Sequence, residues 1–194
     1  MRLRHYERCV DGVCAYRRLA GQSYVFAEAR YRELAGTSSD ELLAKVRALQ
    51  ASNWDAESLK WHFGRHGPEV GVTAEVEYAA LAEQVLRSPT RIFSEIYVDP
   101  LSVQQYGLTR LLPWEREQKI EQIVETLPRA WLFVDEGTGR VVVVSDAASI
   151  MTLYAHTVPE GITTFIHNRL RPEAIEVLIW SEADEEDENV QGVE

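Results

Sequence analysis

Two histidines, His62 and His66, are the side chains of this sequence whose spacing best suits chemistry. They lie four residues apart in LKWHFGRHGPEVG (59–71), and Arg65 directly precedes the second. In a helix this spacing puts both imidazoles on one face. Three interpretations remain open: a metal site, two half-buried structural histidines in an apolar stripe, or a pair that transfers protons.

A metal site has the least support in the neighbouring sequence. Histidines four apart bind zinc in the H-E-x-x-H motif, in which the glutamate acts as a general base. Phe63 stands in the glutamate position here, and Gly64 weakens the helix between the two ligands. The neighbouring sequence offers no third ligand, so we expect neither a metal nor another cofactor.

The proton-transfer interpretation matches the cleavage of an RNA phosphodiester without metal. That reaction needs a base for the 2′-hydroxyl proton, an acid for the leaving oxygen and a cation for the charge on phosphate. Imidazoles titrate near neutral pH and can fill both proton-transfer roles. The guanidinium of Arg65 can bind phosphate through two parallel hydrogen bonds. Gly67-Pro68 is expected to end the helix, and a helix end favours the protonated, acid form of His66.

The histidine segment resembles the opening motif of the toxin- and prophage-associated ribonucleases of the barnase–EndoU–colicin–RelE class. That motif reads L-x-x-H-x-x-[KR]-H-G-x-E-x-G, followed after a short spacer by E-Y-x-x-x-A. The matching residues are Leu59, His62, Arg65, His66, Gly67, Glu69, Gly71, Glu77, Tyr78 and Ala82. The resemblance implies a metal-independent endoribonuclease, with RNA as substrate, His62 and His66 as the acid–base pair and Arg65 as the phosphate partner.

The family pattern continues as a T-G-R turn, an apolar strand, an aspartate and a strand of the form I-x-T-x-[FY]. The matching stretches are 138–140, 141–144, Asp146 and 150–154. The resemblance covers roughly residues 55 to 157 and implies supporting roles for Thr152 and Tyr154. Strand alternation puts these two and His156 on one face, opposite Met151, Leu153 and Ala155. The stretch 162–165 also fits the threonine pattern, so the assignment of the threonine stays open.

The chain also departs from the family. Its members usually end a large secreted or phage protein, whereas this chain is short, acidic and carries its own N-terminal region. Ala147-Ala148-Ser149 replaces a glycine of the last hairpin. Two alternatives to an enzyme therefore stand: a non-catalytic domain of the same fold that binds a nucleic acid or a protein (an inhibitor or a prophage partner), or an acidic inhibitor whose tail mimics nucleic acid.

Apolar periodicity and capping signals predict helices in the first half of the chain. A hairpin comes first: Asp11-Gly12 is a turn signal, and it places Cys9 opposite Cys14, within reach of a disulfide that a reducing cytosol opposes. Helices follow over 22–34, from the Ser38–Glu41 capping box, from Asp55 to Gly67-Pro68, and from a Thr73 cap. Their apolar stripes include Leu42, Val46, Leu49, Tyr78, Ala82 and Val85.

Strand signals dominate the second half. Strands are predicted over 91–98, 130–135, 140–146, 150–157, 162–167 and 175–180, with a helical insert that starts at Pro113. We therefore predict an α+β fold, in which an N-terminal hairpin and helices precede an antiparallel β-meander.

Charge and composition divide the 194 residues into three predicted parts. These are an N-terminal hairpin and helix (1–36), a ribonuclease-like domain (37–180, insert 99–129) and a disordered acidic tail (181–194). The tail carries seven acidic residues and no basic ones, and the whole chain has a net charge of -11. This acidity argues against tight non-specific binding of nucleic acid but leaves room for a local basic cleft. The sequence has no apolar run of membrane-spanning length, and we expect a cytoplasmic protein with no membrane partner.

Overall fold

The computed structural model of the chain describes residues 6–10, 13–16, 25–97, 104–170 and 174–177. This part of the chain has the expected α+β fold. The strands are β1 (Tyr6–Val10), β2 (Val13–Tyr16), β3 (Asn53–Trp54), β4 (Arg91–Ile96), β5 (Arg129–Asp135), β6 (Arg140–Ser145), β7 (Ser149–Ala155) and β8 (Ala174–Val177). The main helices are α1 (Val25–Leu34), α2 (Ser39–Gln50), α3 (Ala56–Val70), α4 (Glu75–Arg87), α5 (Pro113–Ile123) and α6 (Pro159–Phe165). None of the described helices is both long and apolar enough to cross a membrane.

The strands form one mixed sheet in the order β1-β2-β8-β4-β5-β6-β7-β3. Neighbours are antiparallel, except that β3 runs parallel to β7. β4 to β7 therefore form the predicted meander, and α5 is the predicted helical insert. The expectation that β8 extends the meander beyond β7 is wrong, because β8 returns to pair with β4.

Each face of the sheet packs against helices. Alternate residues of a strand point to opposite faces, so Phe133 belongs to the same core cluster as Val46 of α2 and Leu86 of α4, whereas Leu132 belongs to the cluster that contains Ile162 of α6. A fully buried side chain of this size stabilises the fold by about 1.5–3 kcal/mol. The sheet is thus a central layer, and its β7 end lies against α3.

The strand predicted over 162–167 is wrong, because the chain is helical there. α6 is followed by a π-helical turn over Ile166–Leu170. The run from Ile162 to Ile166 is rich in β-branched residues, which favour strands. However, Pro159 suits a first helical turn, and Ile162, Ile166 and Leu170 recur every four residues and are all buried against the sheet. Burial of this stripe outweighs the local preference.

The end predicted for α3 at Gly67-Pro68 is also wrong. The helix includes Pro68 and ends one turn later at Gly71, which has a left-handed φ of 80°. A Cβ at Gly67 would lie 2.8 Å from the ring of Phe63, so the missing side chain makes room for that ring over the last turn. His66 therefore lies inside the helix and not at its end.

Two of the three predicted N-caps are confirmed. Ser38 and Glu41 form the capping box at α2, and the carboxylate of Asp55 caps α3. Thr73 does not cap α4, which begins two residues later. Instead, the carboxylate of Glu77 accepts hydrogen bonds from the backbone N–H groups of Thr73, at 3.1 Å, and Ala74, at 3.2 Å.

Several predictions fall outside the described residues: the Asp11-Gly12 turn, the start of the helix over 22–34, the ends of the strands predicted over 91–98 and 175–180, and the acidic tail 181–194. β1 and β2 pair with the Cα of Cys9 opposite that of Cys14, and β2 joins the sheet through β8. This pairing agrees with the expected register, and whether the two cysteines are bonded stays open.

Candidate active site

The two histidines of α3 face β7 through a series of neighbouring rings. The imidazoles of His62 and His66 are nearly parallel, with centroids 6.0 Å apart. The ring of Tyr154 lies 6.4 Å beyond His66, and His156 lies 5.6 Å beyond Tyr154. The structure thus brings together His62, His66 and Tyr154, which the sequence singled out, at the contact between α3 and β7.

His62 is an unprotonated imidazole at neutral pH. Its ring packs between two tryptophans, with centroids 4.6 Å from Trp61 and 5.9 Å from Trp54. Burial, together with the positive charges of His66 and Arg65, lowers the pKa of His62 to about 4. Its Nδ1 is buried and has no hydrogen-bond partner among the described residues. The ring is therefore held by packing, and its Nδ1 is shielded from solvent.

His66 is oriented by a carboxylate. Its Nδ1–H donates a hydrogen bond to Glu69 one turn later on α3, at 2.8 Å. This bond fixes the tautomer in the neutral ring and leaves Nε2 as the nitrogen that can exchange a proton with a ligand. Glu69, which the sequence motif contains without an assigned role, thus positions His66.

Arg65 adjoins the pair on its solvent side. Its guanidinium lies 5.4 Å from the ring centroid of Trp61 and makes a cation–π contact with it. Its positive charge helps to lower the pKa of His62. The side chain is exposed and can turn towards a bound phosphate. The structure thus keeps Arg65 beside the site without a carboxylate partner among the described residues.

A bulge in β7 changes which residues share its faces. Val143 pairs with Thr152, and Val144 pairs with Ile150, so Met151 is the extra residue. Met151 consequently packs on the same face as Tyr154, and the prediction that it faces the other way is wrong. Leu153 lies on the opposite face, as predicted.

Thr152 is anchored indirectly through Tyr78 of α4. The Tyr78 hydroxyl donates to the carbonyl of Leu153 and accepts from its N–H, and burial raises the pKa of Tyr78 to about 12. The hydroxyl of Thr152 is buried beside that of Tyr78, and its hydrogen bonding to Tyr78 opposes the rise in the pKa of Tyr78. Thr152 therefore lies next to the part of β7 that Tyr78 fixes.

His156 is a third imidazole that the sequence-based site omitted. It stacks on Phe165 of α6 at 4.5 Å, and its Nε2 is buried without a partner among the described residues. Burial lowers its pKa, and the nearby charge of Glu69 opposes this shift. The strand alternation that groups Thr152 with Tyr154 also includes His156, and this was the signal that could have found it.

Gly139 explains how His156 is placed. It lies in the T-G-R turn with a left-handed φ of 70°, and its carbonyl accepts a 2.7 Å hydrogen bond from the N–H of His156. A Cβ on Gly139 would collide with the carbonyl of His156. A side chain at position 139 would therefore displace the backbone of His156.

Some nitrogen atoms along this row of rings are buried and have no protein partner within the described structure. The Nε1 of Trp54, the Nδ1 of His62 and the Nε2 of His156 are all buried and unpaired within the described structure. Buried polar groups are normally satisfied by protein, water or ligand, and each unsatisfied one costs about 1–3 kcal/mol.

The described residues contain no group of three or more histidine, cysteine, aspartate or glutamate side chains placed to hold a metal ion. Comparison of the chain with protein-family models, with curated proteins and with solved structures finds no match.

Proposed function

We propose that the chain is a metal-independent endoribonuclease in which His62 and His66 transfer protons. One observation carries the proposal: two nearly parallel imidazoles lie 6.0 Å apart on α3, and the ring of Tyr154 lies 6.4 Å from that of His66. The resemblance of residues 59–82 to the ribonuclease motif supports the same chemistry. RNA is the proposed substrate, and the cytoplasm is the proposed compartment.

His62 is assigned as the base. It is unprotonated at neutral pH because its pKa is about 4, so it can accept the proton of a 2′-hydroxyl. A bound phosphodiester adds negative charge beside the ring, which raises this pKa and strengthens the base.

His66 is assigned as the acid. Glu69 holds its Nδ1–H, so the proton for the leaving group comes from Nε2. The 2′-oxygen forms a bond to phosphorus while the bond to the 5′-oxygen breaks. One proton moves from the 2′-hydroxyl to His62, and another moves from His66 to the 5′-oxygen. The products are a 2′,3′-cyclic phosphate and a 5′-hydroxyl.

The remaining groups stabilise and orient the phosphate. Arg65 supplies positive charge for the oxygens of the transition state. Tyr154, whose ring lies 6.4 Å from that of His66, is proposed to bind the phosphate through its hydroxyl, and Thr152 supports the strand that carries it. His156 holds Tyr154 through ring contact, and we regard it as a positioning residue.

The test is cleavage of end-labelled RNA in excess EDTA by the wild type, His62→Ala and His66→Ala. Each substitution is expected to slow cleavage about 10²–10⁴-fold, the usual contribution of acid–base catalysis. His167→Ala is the matched control, because this exposed histidine on the turn after α6 should be silent. RNA with a 2′-deoxy sugar at the cleaved position should resist all four proteins.

Two results would overturn the proposal. One is the absence of cleavage by the wild type across varied RNA sequences, which would favour a non-catalytic binding domain. The other is equal cleavage by the wild type and both alanine variants. Cleavage that EDTA abolishes would instead indicate that the reaction depends on a metal ion.

A further inference from the structure

An exposed indole adjoins the histidine pair on the solvent side of α3. Trp61 remains 58% exposed although it packs edge-on against His62, with centroids 4.6 Å apart. Arg65 follows one turn later and extends over the same indole. Gly64 leaves the strip between them open, since a Cβ there would meet nothing within 4 Å. The ring therefore presents an open surface next to the candidate base.

We propose that Trp61 and Arg65 form a stacking subsite for an unpaired nucleobase of single-stranded RNA, an inference that rests on the proposed function. Indole rings stack on the face of any base, and guanidinium groups stack on bases or bind the adjacent phosphate. A base stacked on Trp61 puts the ribose of the same nucleotide beside His62, which is assigned to the 2′-hydroxyl proton.

Charge along α3 agrees with this occupant. Lys60 and Arg65 flank Trp61 on the exposed face, on a chain whose net charge is -11. Glu57 lies one turn before Trp61, at the N-terminal end of the helix. A polyanion is therefore attracted to the stretch between Lys60 and Arg65 and repelled from Glu57, while Glu69, one turn beyond Arg65, is hydrogen-bonded to His66. An RNA backbone bound to Arg65 would therefore place one of its bases near the indole of Trp61.

The subsite selects against duplex RNA. Bases in a duplex are stacked on each other and cannot lie on a protein ring, whereas bases of loops and single strands can. We therefore expect the protein to bind single strands with little sequence preference, because every base has a face that stacks.

The test is equilibrium binding of a fluorescent, cleavage-resistant 2′-O-methyl RNA single strand. A second oligomer of equal length carries the same backbone without bases. The proteins are the full-length wild type, Trp61→Ala, Trp61→Phe and Trp114→Ala. Trp114 is the matched control, because it is 60% exposed and lies on α5, outside the histidine site.

Loss of the indole should weaken binding of the base-containing oligomer about 5- to 150-fold, the range for one stacked base. Trp61→Phe should retain most of the affinity, and Trp114→Ala all of it. On the oligomer without bases, Trp61→Ala and the wild type should bind equally. Arg65→Gln should weaken both oligomers and lower the salt slope by about one unit.

Three results would overturn the subsite. They are a wild type that does not bind the single strand, a Trp61→Ala variant that binds it normally, and an equal loss on both oligomers. Because the oligomer cannot be cleaved, these results are independent of catalysis. Base-dependent binding by a protein that cleaves no RNA would keep the subsite and refute the proposed reaction.

Discussion

The hydroxyl of Tyr78 is hydrogen-bonded to both backbone groups of Leu153, donating to the carbonyl and accepting from the N–H at 3.2 Å. Leu153 lies between Thr152 and Tyr154, so one buried side chain of α4 fixes the part of β7 that α3 faces. The tyrosine of E-Y-x-x-x-A thus acts on the strand half of the site, whereas the histidine motif supplies the helix half.

Replacing Tyr78 with phenylalanine should lower the free energy of unfolding by about 1–3 kcal/mol, because two buried backbone groups lose their partner. Urea denaturation at neutral pH measures the change. Tyr106→Phe is the control, since the hydroxyl of Tyr106 bonds Thr126 at an exposed site and should be worth less than about 0.5 kcal/mol. Equal stability of the two variants would show that the Tyr78–Leu153 contact is not structural.

Gly139→Ala and Gly64→Ala should have opposite effects on stability. At Gly139 the positive φ alone costs an alanine about 1–2 kcal/mol, and the collision with His156 adds to it. At Gly64, inside α3 with open space around it, alanine should add about 0.5–1 kcal/mol. Thermal unfolding of the two variants gives the comparison, and a stabilising Gly139→Ala would contradict the geometry of the T-G-R turn.

Acid should destabilise the protein partly through His62. Its folded-state pKa of about 4 is below the ordinary value of 6.5, so the unfolded chain binds more protons between these values. The contribution of neutral His62 to the free energy of unfolding is therefore fully present above pH 6.5 and is lost as pH falls towards 4. His156, whose pKa is also lowered, acts in the same direction. His62→Asn should therefore show a flatter loss of stability between pH 6.5 and 4.

An NMR titration of the His62 ring checks the same point directly. The account predicts a midpoint near pH 4 in the free protein and a higher midpoint with a bound, uncleavable RNA. A midpoint near 6.5 in the free protein would remove the reason for assigning His62 as the base.

Asp146, the aspartate of the strand pattern, should matter for stability and not for catalysis. Its Oδ1 accepts hydrogen bonds from the Nε1 of Trp131 at 2.5 Å and from buried Arg30 at 3.2 Å, which ties α1 to the end of β6. Asp146→Asn should lower the free energy of unfolding by about 1–3 kcal/mol. The cleavage rate of the folded variant should stay within a few-fold of the wild type, and a hundredfold loss would place Asp146 in the reaction.

The sequence predicts the histidine helix well because its determinants are local. Asp55 caps α3, and the i, i+4 spacing puts His62 and His66 on one face. The sequence did not reveal the roles of Gly67 and Glu69. A motif alone does not show that Gly67 makes room for the ring of Phe63, or that Glu69 binds the imidazole of His66.

Features that depend on distant parts of the chain were not predictable in this way. The β-branched run in α6 favours a strand until its stripe of Ile162, Ile166 and Leu170 is buried against the sheet. After α6 and the turn that follows it, the chain returns to the other side of the meander, where β8 pairs with β4. His156 joins the site only because α6 brings Phe165 against it and Gly139 holds its backbone.

The most direct measurement is rescue of His62→Ala by free imidazole, read as the rate of RNA cleavage in excess EDTA. The account predicts slow cleavage by the variant and a saturable rise in rate as imidazole is added, because the small molecule occupies the vacated space and accepts the 2′-hydroxyl proton. His167→Ala should cleave at the wild-type rate with or without imidazole. A folded His62→Ala variant that cleaves as fast as the wild type, or gains nothing from imidazole while the wild type is active, would contradict the assignment of His62 as the base.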